Sequence, residues 1–292
     1  MELVEGVLST VSEPGLARLN VLQEITAPSG DRVDYSAQID PAFTIGPKVH
    51  GGTLQMLSAN AAIAGFRATA PADKPASDDL APMAISTNYL GAPDPAEITL
   101  PVWVRKRGRR VSLVDVEMHQ NGRNLVHSTV TAGTPDLANH YSAPSPLAAV
   151  PASPTEDVIW VENSMLGEVM HLSAVLDIAI DERSLAFARG EKAEPVLRMW
   201  ARPKEADPDA LFAILCGDLS APVVMNLNLF GWAPTMQLTT YLRRRPAPGW
   251  LRIQASSTEV GHGWFEEDHV VLDSTGQVVV QSRQLAMIPA TG

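Results

Sequence analysis

Two stretches of this sequence match each other and decide the fold: Asn121–Ser128 (NGRNLVHS) and Thr275–Ser282 (TGQVVVQS). Each begins with a turn dipeptide that ends in glycine, and each continues into a β-rich segment. When one stretch is set on the other, the turns and the strands coincide without a gap. This self-similarity indicates an internal duplication of the chain.

The elements around the two turns follow the same order in both halves. In the first half, a helical pattern runs from about Thr53 to Ala68, and in the second half Asp207-Pro208 predicts the N-cap and first turn of an apolar helix over Asp209–Leu219. Each helix precedes a series of β-rich segments: Met83–Tyr89, Ile98–Arg105, Val111–Met118 and Leu125–Thr131, then Met236–Arg243, Leu251–Thr258, Phe265–Leu272 and Val278–Met287.

A helix followed by antiparallel strands, used twice, predicts an α+β protein in which each sheet wraps its own helix. Joining the two sheets edge to edge would remove two exposed strand edges. Between the halves, Gly133–Glu156 is rich in Pro, Ala and Ser, which is typical of a linker. We therefore expect an N-terminal segment over 1–20, a first domain over 21–134, a linker over 135–157 and a second domain over 158–292.

Composition narrows the classes of function. The 292 residues are 45% hydrophobic and carry a formal charge of −11, which disfavours nucleic acid as a partner. The acidic start at Met1–Glu5 and the lack of any evident apolar run of about 18 residues disfavour secretion and membrane spanning. A cytoplasmic protein with a small-molecule site fits this composition, and a homo-oligomer is left open.

The single cysteine, Cys216, excludes an internal disulfide and sits in an apolar run that predicts a buried, unreactive thiol. The seven histidines are scattered without the spacing of a metal site. The serine-hydrolase elbow, the P-loop and the dinucleotide-binding glycine turn are all absent. The sequence therefore predicts neither a metal nor a cofactor.

Short motifs on this framework resemble the type II acyl-CoA thioesterases, which are double-hotdog proteins. The cues are Phe43–Gly46 leading to His50–Thr53 in the first half, and Arg245-Pro246, Trp250 and Val280–Gln284 in the second. The segments on either side of one predicted strand resemble an actinobacterial branch of that family: Trp232–Thr235 and Arg244–Trp250. The resemblance implies two hotdog domains and the hydrolysis of a fatty acyl-CoA to free acid and coenzyme A by an activated water, without a cofactor, in fatty acid metabolism.

In that family an Asp, a Ser or Thr and a Gln from three strands of the second domain activate the water. By ungapped counting, the resemblance places the hydroxyl at Thr258 and the amide at Gln284, whereas the acid position falls on Leu238. The repeat sets Thr258 and Gln284 on Val104 and Val130, so this polar pair occurs only in the second half. Polar residues on a core-facing strand need partners or a ligand, although a solvent-facing strand end would also explain them.

Several residues could replace the missing acid. Asp218, near the end of the second helix, is the first candidate, and a bond to the following loop is its structural alternative. Gln237 alternates to the opposite sheet face from Leu238 and would need a bulge to reach the site. The acidic run Glu266-Glu267-Asp268 is better explained as a solvated edge.

Further residues are predicted to hold the substrate. His50, Gly51 and Gly52 open the first helix, where backbone N–H groups could bind the thioester carbonyl oxygen. Arg107 and Arg244 belong to basic clusters that could bind the phosphates of coenzyme A, with solvated strand ends as the alternative.

Leu238 also supports a second function, a catalytically weak or inactive hotdog protein that binds acyl thioesters or lipids, because a missing general base costs about 10²- to 10⁴-fold in rate. A hotdog enoyl-CoA hydratase is disfavoured, because neither half shows an Asp followed closely by a His in a loop that enters the helix.

Overall fold

The structure of the protein is a computed structural model, and it describes residues 15–135, 141–142, 145–147 and 149–290. The first half contains a short helix α1, the long helix α2 and eight strands. Their bounds are α1 Gly15–Leu19, β1 Gln23–Ser29, β2 Arg32–Gln38, β3 Thr44–Ile45, β4 Lys48–Val49, α2 Gly51–Ala68, β5 Ala81–Tyr89, β6 Glu97–Lys106, β7 Val111–Gln120 and β8 Arg123–Gly133.

The second half repeats this order with a shorter helix. Its bounds are β9 Val158–Trp160, β10 Leu176–Asp181, β11 Val196–Pro203, α3 Ala210–Leu215, β12 Thr235–Leu242, β13 Leu251–Ser256, β14 Val260–Gly261, β15 Trp264–Leu272 and β16 Val278–Met287. Short 3₁₀ turns occur between the strands, and Cys216–Asp218 extends α3 by one such turn.

Within the described residues, fourteen strands form one continuous sheet. The five main strands of the first half lie in the order β2-β6-β7-β8-β5, and those of the second half continue as β12-β16-β15-β13-β11, which is the same order reversed. The two halves join where β5 pairs antiparallel with β12. This topology confirms the predicted α+β double hotdog and the edge-to-edge junction of its sheets.

The two turns that decided the fold behave as predicted. Asn121 and Gly122 both have positive φ, 54° and 74°, as a two-residue hairpin between β7 and β8 requires. Gly276 has a φ of 85° in the turn between β15 and β16. Because glycine adopts this region at little cost, both turns hold the register of the strands that follow them.

The helices differ from their predicted starts. Helix α2 begins at Gly51 rather than Thr53, with His50 as its N-cap. Helix α3 is capped by Asp209, whose carboxylate accepts a 2.7 Å hydrogen bond from the Phe212 N–H, so the predicted cap at Asp207-Pro208 is wrong. Asp209 is in extended conformation directly before the apolar run, which is the backbone geometry that an N-cap needs.

The expectation that the sequence lacks a long apolar run also needs correction. The window Ala210–Leu227 has a mean hydropathy of 1.7, enough to match a membrane span by composition. However, α3 occupies only its first six residues, and 61% of the window is buried inside the protein. Cys216 lies in this segment, fully buried, and burial raises the pKa of its thiol well above the ordinary value. The run is therefore a core segment of the fold.

Register across the β5–β12 junction shows which positions of the two halves are equivalent. Ser86 and Thr239 face each other at the centre, so Ile85 is equivalent to Leu238. Their partners on the next strands, Val130 and Gln284, are then equivalent as well. One strand further, Val114 corresponds to Glu267. The structural equivalence of Val130 and Gln284 agrees with the alignment of the two turns.

Candidate functional site

The candidate site lies where the N-terminus of α2 meets the 3₁₀ turn after α3. His50 is 5% exposed, and its Nδ1 accepts the Thr53 N–H at 3.3 Å while its Nε2 lies 2.9 Å from the Asp218 carbonyl oxygen. Burial lowers the pKa of His50 to about 4, so the ring is neutral at physiological pH. A proton on Nε2 satisfies both bonds, because Nδ1 must accept and a carbonyl oxygen cannot donate. His50 thus ties the first half of the protein to the second.

The two glycines at the start of α2 allow the close approach of Asp218. A Cβ on Gly51 would lie 2.6 Å from the Asp218 Oδ2, and a Cβ on Gly52 would lie 2.5 Å from the Leu215 carbonyl oxygen. The Tyr89 hydroxyl closes the same region by donating a 2.9 Å hydrogen bond to the Gly51 carbonyl oxygen. The glycines are therefore required by packing between the two halves as well as by the helix start.

Asp218 presents a buried carboxyl group to the positive end of α2. The residue is 9% exposed, and burial raises the pKa of its carboxyl to about 7, against the opposing effect of the Gly52 N–H directed at it. Its Oδ2 lies 3.7 Å from the His50 Nε2. A carboxyl group with a pKa near 7 exchanges a proton readily at neutral pH, which is the property that a general base needs. The structure thus brings together the predicted residues His50, Gly51, Gly52 and Asp218.

A second buried carboxyl group, that of Glu267, lies on strand β15 close to the turn that carries Asp218. It is 1% exposed, and it accepts the Ser220 hydroxyl at 2.7 Å and the Val223 N–H at 3.0 Å. Burial raises the pKa of Glu267 to about 7, and the charge of Asp218 acts in the same direction. His269 lies beside it, with Nε2 3.4 Å from the Glu267 Oε1, and burial lowers the pKa of His269 to about 3.

This position of Glu267 contradicts the prediction of a solvated acidic edge. Glu266 and Asp268 do lie on the outer face, where Asp268 pairs with Arg283. Glu267 points inward because side chains alternate along a strand and Phe265 and Val271 are buried on the same face. The alternation of Phe265, Glu267, His269 and Val271 was visible in the sequence and is the signal that could have identified this acid.

Gln284, the residue predicted to supply the amide, lies on β16 paired with Glu267 and is 7% exposed. Its Oε1 accepts the hydroxyl of Thr235, and its amide faces the Glu267 carboxyl group and favours the charged form of that group. On its other side, Gln284 is paired with Leu238, which is fully buried. Thr235 was not predicted, because it precedes the bulge that shifts the register of β12 against β16.

Thr258 is not part of this site, which corrects the predicted pair with Gln284. Strand β13 ends at Ser256, and Thr258 is an exposed residue of the following loop whose N–H donates a 2.6 Å hydrogen bond to the Glu266 Oε1. Its proposed counterpart Val104 is buried on β6, so the equivalence between Thr258 and Val104 fails where the shorter strand ends. Gln237 faces away from the site, as alternation predicted, and bonds Ser86.

The two predicted phosphate ligands lie in different surroundings. Arg107 is at the far end of α2, where its guanidinium bonds Asp31, the Phe66 carbonyl oxygen and Thr69, so it serves the C-terminus of that helix rather than the candidate site. Arg244 follows β12 and lines a cavity of about 310 Å³ together with both neighbouring arginines, Arg243 and Arg245. The start of β5 forms the other wall of this cavity, which therefore lies at the seam between the two sheets.

Metal ligation has no support in the part of the chain that the structure describes, where no group of three or more His, Cys, Asp or Glu side chains could hold an ion. The site instead consists of two buried carboxyl groups, two neutral histidines, an amide and the start of a helix. Such a set can move protons and stabilise negative charge on oxygen.

Comparison with known proteins places the chain in a family. Residues 39–133 match the model of the acyl-CoA thioesterase N-terminal domain, and residues 145–288 match that of the acyl-CoA thioesterase C-terminal domain. An uncharacterized protein of Mycobacterium tuberculosis is 42% identical over 271 residues, which cover 88% of this chain and 91% of the relative.

Solved structures show the same fold over nearly the whole chain. A protein described as a thioesterase II from Thermobifida fusca has a TM-score of 0.77 at 27% identity, with 93% of this chain and 96% of the other covered. A hot dog protein from Alicyclobacillus acidocaldarius has a TM-score of 0.73 at 19% identity, with 94% and 98% covered. With both domain models matched in order along one chain, this protein belongs to the acyl-CoA thioesterase family.

Proposed function

We propose that this protein hydrolyses an acyl-CoA thioester to the free acid and coenzyme A, with Asp218 as the general base. The observation that carries this proposal is the position of a buried carboxyl group with a pKa near 7 at the N-terminus of α2. The N-terminus of a helix attracts negative charge, and the hydrolysis of a thioester develops negative charge on the carbonyl oxygen.

In the proposed reaction, Asp218 takes a proton from a water molecule as that water attacks the thioester carbon. The resulting oxyanion lies beside the first turn of α2, where the Gly51 N–H and the positive end of the helix oppose its charge. When the carbon–sulfur bond breaks, the proton on Asp218 returns to the leaving sulfur. The products are a carboxylic acid and a thiol, and no cofactor takes part.

The cavity lined by Arg244 suits the nucleotide end of coenzyme A. Leu242, on its wall, is four residues along β12 from Leu238, which corresponds to about 13 Å at the rise of a strand. An extended pantetheine arm could bridge that separation. Three arginines in sequence at the cavity supply the charge that phosphate groups require.

A thiol-release assay over a panel of acyl-CoA chain lengths, with a binding measurement on the same panel, tests the proposed function. We expect thiol release for at least one chain length and its loss by roughly 10²-fold or more in Asp218→Asn with acyl-CoA affinity kept. Arg244→Ala should weaken the binding of acyl-CoA without lowering kcat. A wild-type protein that binds acyl-CoA and releases no thiol would instead support the acyl-binding function, for which the buried Leu238 is the specific observation.

A further inference from the structure

Four titratable side chains that are at least nine-tenths buried lie together in the candidate site. The proposed reaction uses the carboxyl group of only one of them. They are His50, Asp218, Glu267 and His269, with exposures from 1% to 9%. Ser220 links the two acids: its N–H donates to the Asp218 carbonyl oxygen at 3.1 Å, and its hydroxyl donates to the Glu267 Oε1 at 2.7 Å. Glu267 is therefore one hydrogen-bonded residue away from the proposed base.

No positively charged side chain in the described part of the chain compensates the two acids. The titratable groups that face them are His50 from the start of α2, Tyr89 from β5 and His269 from β15. Burial lowers the pKa of both histidines and raises that of Tyr89, so all three are neutral at physiological pH. Among the described residues, no lysine or arginine forms an ion pair with either carboxyl group. Two like charges in a dry site repel strongly, so the doubly ionised pair is disfavoured.

Glu267 also holds the amide of the site. Gln284 is paired across the sheet with Glu267 on β15, and its Oε1 accepts the hydroxyl of Thr235 on β12. This fixes the orientation of the amide, because its oxygen must face a donor and its nitrogen an acceptor. Glu267 is itself anchored by the Val223 N–H and by Ser220. The carboxyl group is thus a rigid support that connects the loop after α3 to Gln284.

We propose that Glu267 is a positioning residue of this site, which orients Gln284 and shares a single proton with Asp218. This proposal deepens the proposed function, on which its catalytic part rests. The shared proton leaves one carboxyl group ionised to accept a proton from water while its neighbour stays neutral. Both acids then titrate as a pair, and the removal of one makes the other ionise at lower pH.

Carboxyl ¹³C NMR of the full-length protein from pH 4 to 9 tests the shared proton without any assay of activity. In Asp218→Asn we expect the pKa of Glu267 to fall by roughly one unit, and in Glu267→Gln we expect the pKa of Asp218 to fall by the same amount, since such coupling is reciprocal. The matched control is Asp268→Asn, one residue along β15 on the outer face, which should move neither. Unchanged pKa values in both variants would overturn the proposal. If Glu267→Gln does not fold, Asp218→Asn alone decides, because it retains Glu267.

Kinetics test the positioning of Gln284. Glu267→Gln should lower kcat by roughly tenfold or more with KM unchanged, and should move the acid limb of the pH–rate profile to lower pH. If Glu267 only supports the fold, Glu267→Gln should lower Tm and leave the acid limb in place. That result would refute the positioning role. Should the wild type hydrolyse no acyl-CoA, the proposed function fails by itself, and the NMR titration still decides whether the two acids share a proton.

Discussion

The two halves of the sheet share their topology and differ in the chemistry of equivalent positions. Val114 and Val130 of the first half are fully buried and apolar, whereas their equivalents Glu267 and Gln284 carry a carboxyl group and an amide. The first half does contain buried polar groups, but they are neutral and bond one another: Ser58, Ser128, Thr87 and Gln55 form a chain with separations of 2.9 to 3.2 Å. Duplication thus supplied two scaffolds, and titratable groups are concentrated on one of them.

The largest expected effect comes from a charge placed at the equivalent positions Ile85 and Leu238, which are both fully buried. Ile85→Asp should destabilise the protein by about 3–5 kcal/mol, the cost of an uncompensated buried charge. Leu238→Asp should cost less: both positions are paired with a threonine, Thr87 or Thr240, but Leu238 is also paired with the Gln284 amide, where Ile85 is paired with Val130. Urea denaturation measures both. Equal losses would contradict the inferred difference between the halves.

The same Leu238→Asp variant sharpens the choice of general base. If Asp218 serves as we propose, the new carboxyl group is not needed and thiol release should not rise. A gain in thiol release with unchanged acyl-CoA affinity would show that Leu238 had left the site without a base.

The next effect is on catalysis. Asp218→Asn should lower kcat by roughly 10²-fold or more, because the amide keeps the shape of the side chain and removes its basicity. Asp268→Asn, on the outer face of β15, is the control and should leave kcat within about twofold of the wild type, as expected for a surface carboxylate paired with an exposed arginine. Steady-state thiol release measures both variants. A comparable fall in kcat for both would mean that Asp218 does not act through its position at α2.

A smaller effect is expected when the two halves exchange residues. Val130→Gln should cost about 1–3 kcal/mol, because the amide would lie directly between the apolar side chains of Ile85 and Val114. Gln284→Val should cost only about 1 kcal/mol, since it removes the hydrogen bond to Thr235 and leaves Glu267 bonded to Ser220 and Val223. Thermal unfolding of the two variants gives the comparison. The opposite ranking would show that the first half tolerates the polar set.

The pH dependence of stability should separate the acids from the histidines. The raised pKa of Asp218 stabilises the fold below the ordinary aspartate pKa, and this contribution is lost as pH rises toward 7. Because their folded pKa values are lowered, the neutral histidines His50 and His269 act in the opposite sense and cost stability as pH falls below about 6.5. In Asp218→Asn the free energy of unfolding should therefore rise relative to the wild type between pH 4 and 7, by up to about 1.4 kcal/mol per pH unit. Denaturation at several pH values measures this slope, and a difference that does not change with pH would refute the raised pKa.

Local sequence signals accounted for much of the fold. The turns at Asn121-Gly122 and Thr275-Gly276 gave the register of the halves, because a glycine turn can be recognised from the chain alone. The helix starts were missed by two residues each, because an N-cap depends on the backbone conformation of one residue. Among the predicted site residues, His50 was marked by a helix start and Gln284 by an aligned strand, and the structure places both near Asp218 and Glu267. Thr258 failed because ungapped counting cannot detect that β13 ends before it.

By itself, the sequence determined the duplicated α+β architecture, the presence of a helix after His50 and the asymmetry at Gln284, because turns, helix periodicity and strand alternation act over a few residues. Only the tertiary structure decided which acid meets that helix start. Asp218 reaches Gly51 because the second half packs against the first, and Glu267 joins it because β15 lies beside β16 in the sheet. Burial then raises the pKa values of both acids, and the charge of Asp218 adds to this effect at Glu267. These effects come from neighbours distant in sequence, which no local pattern records.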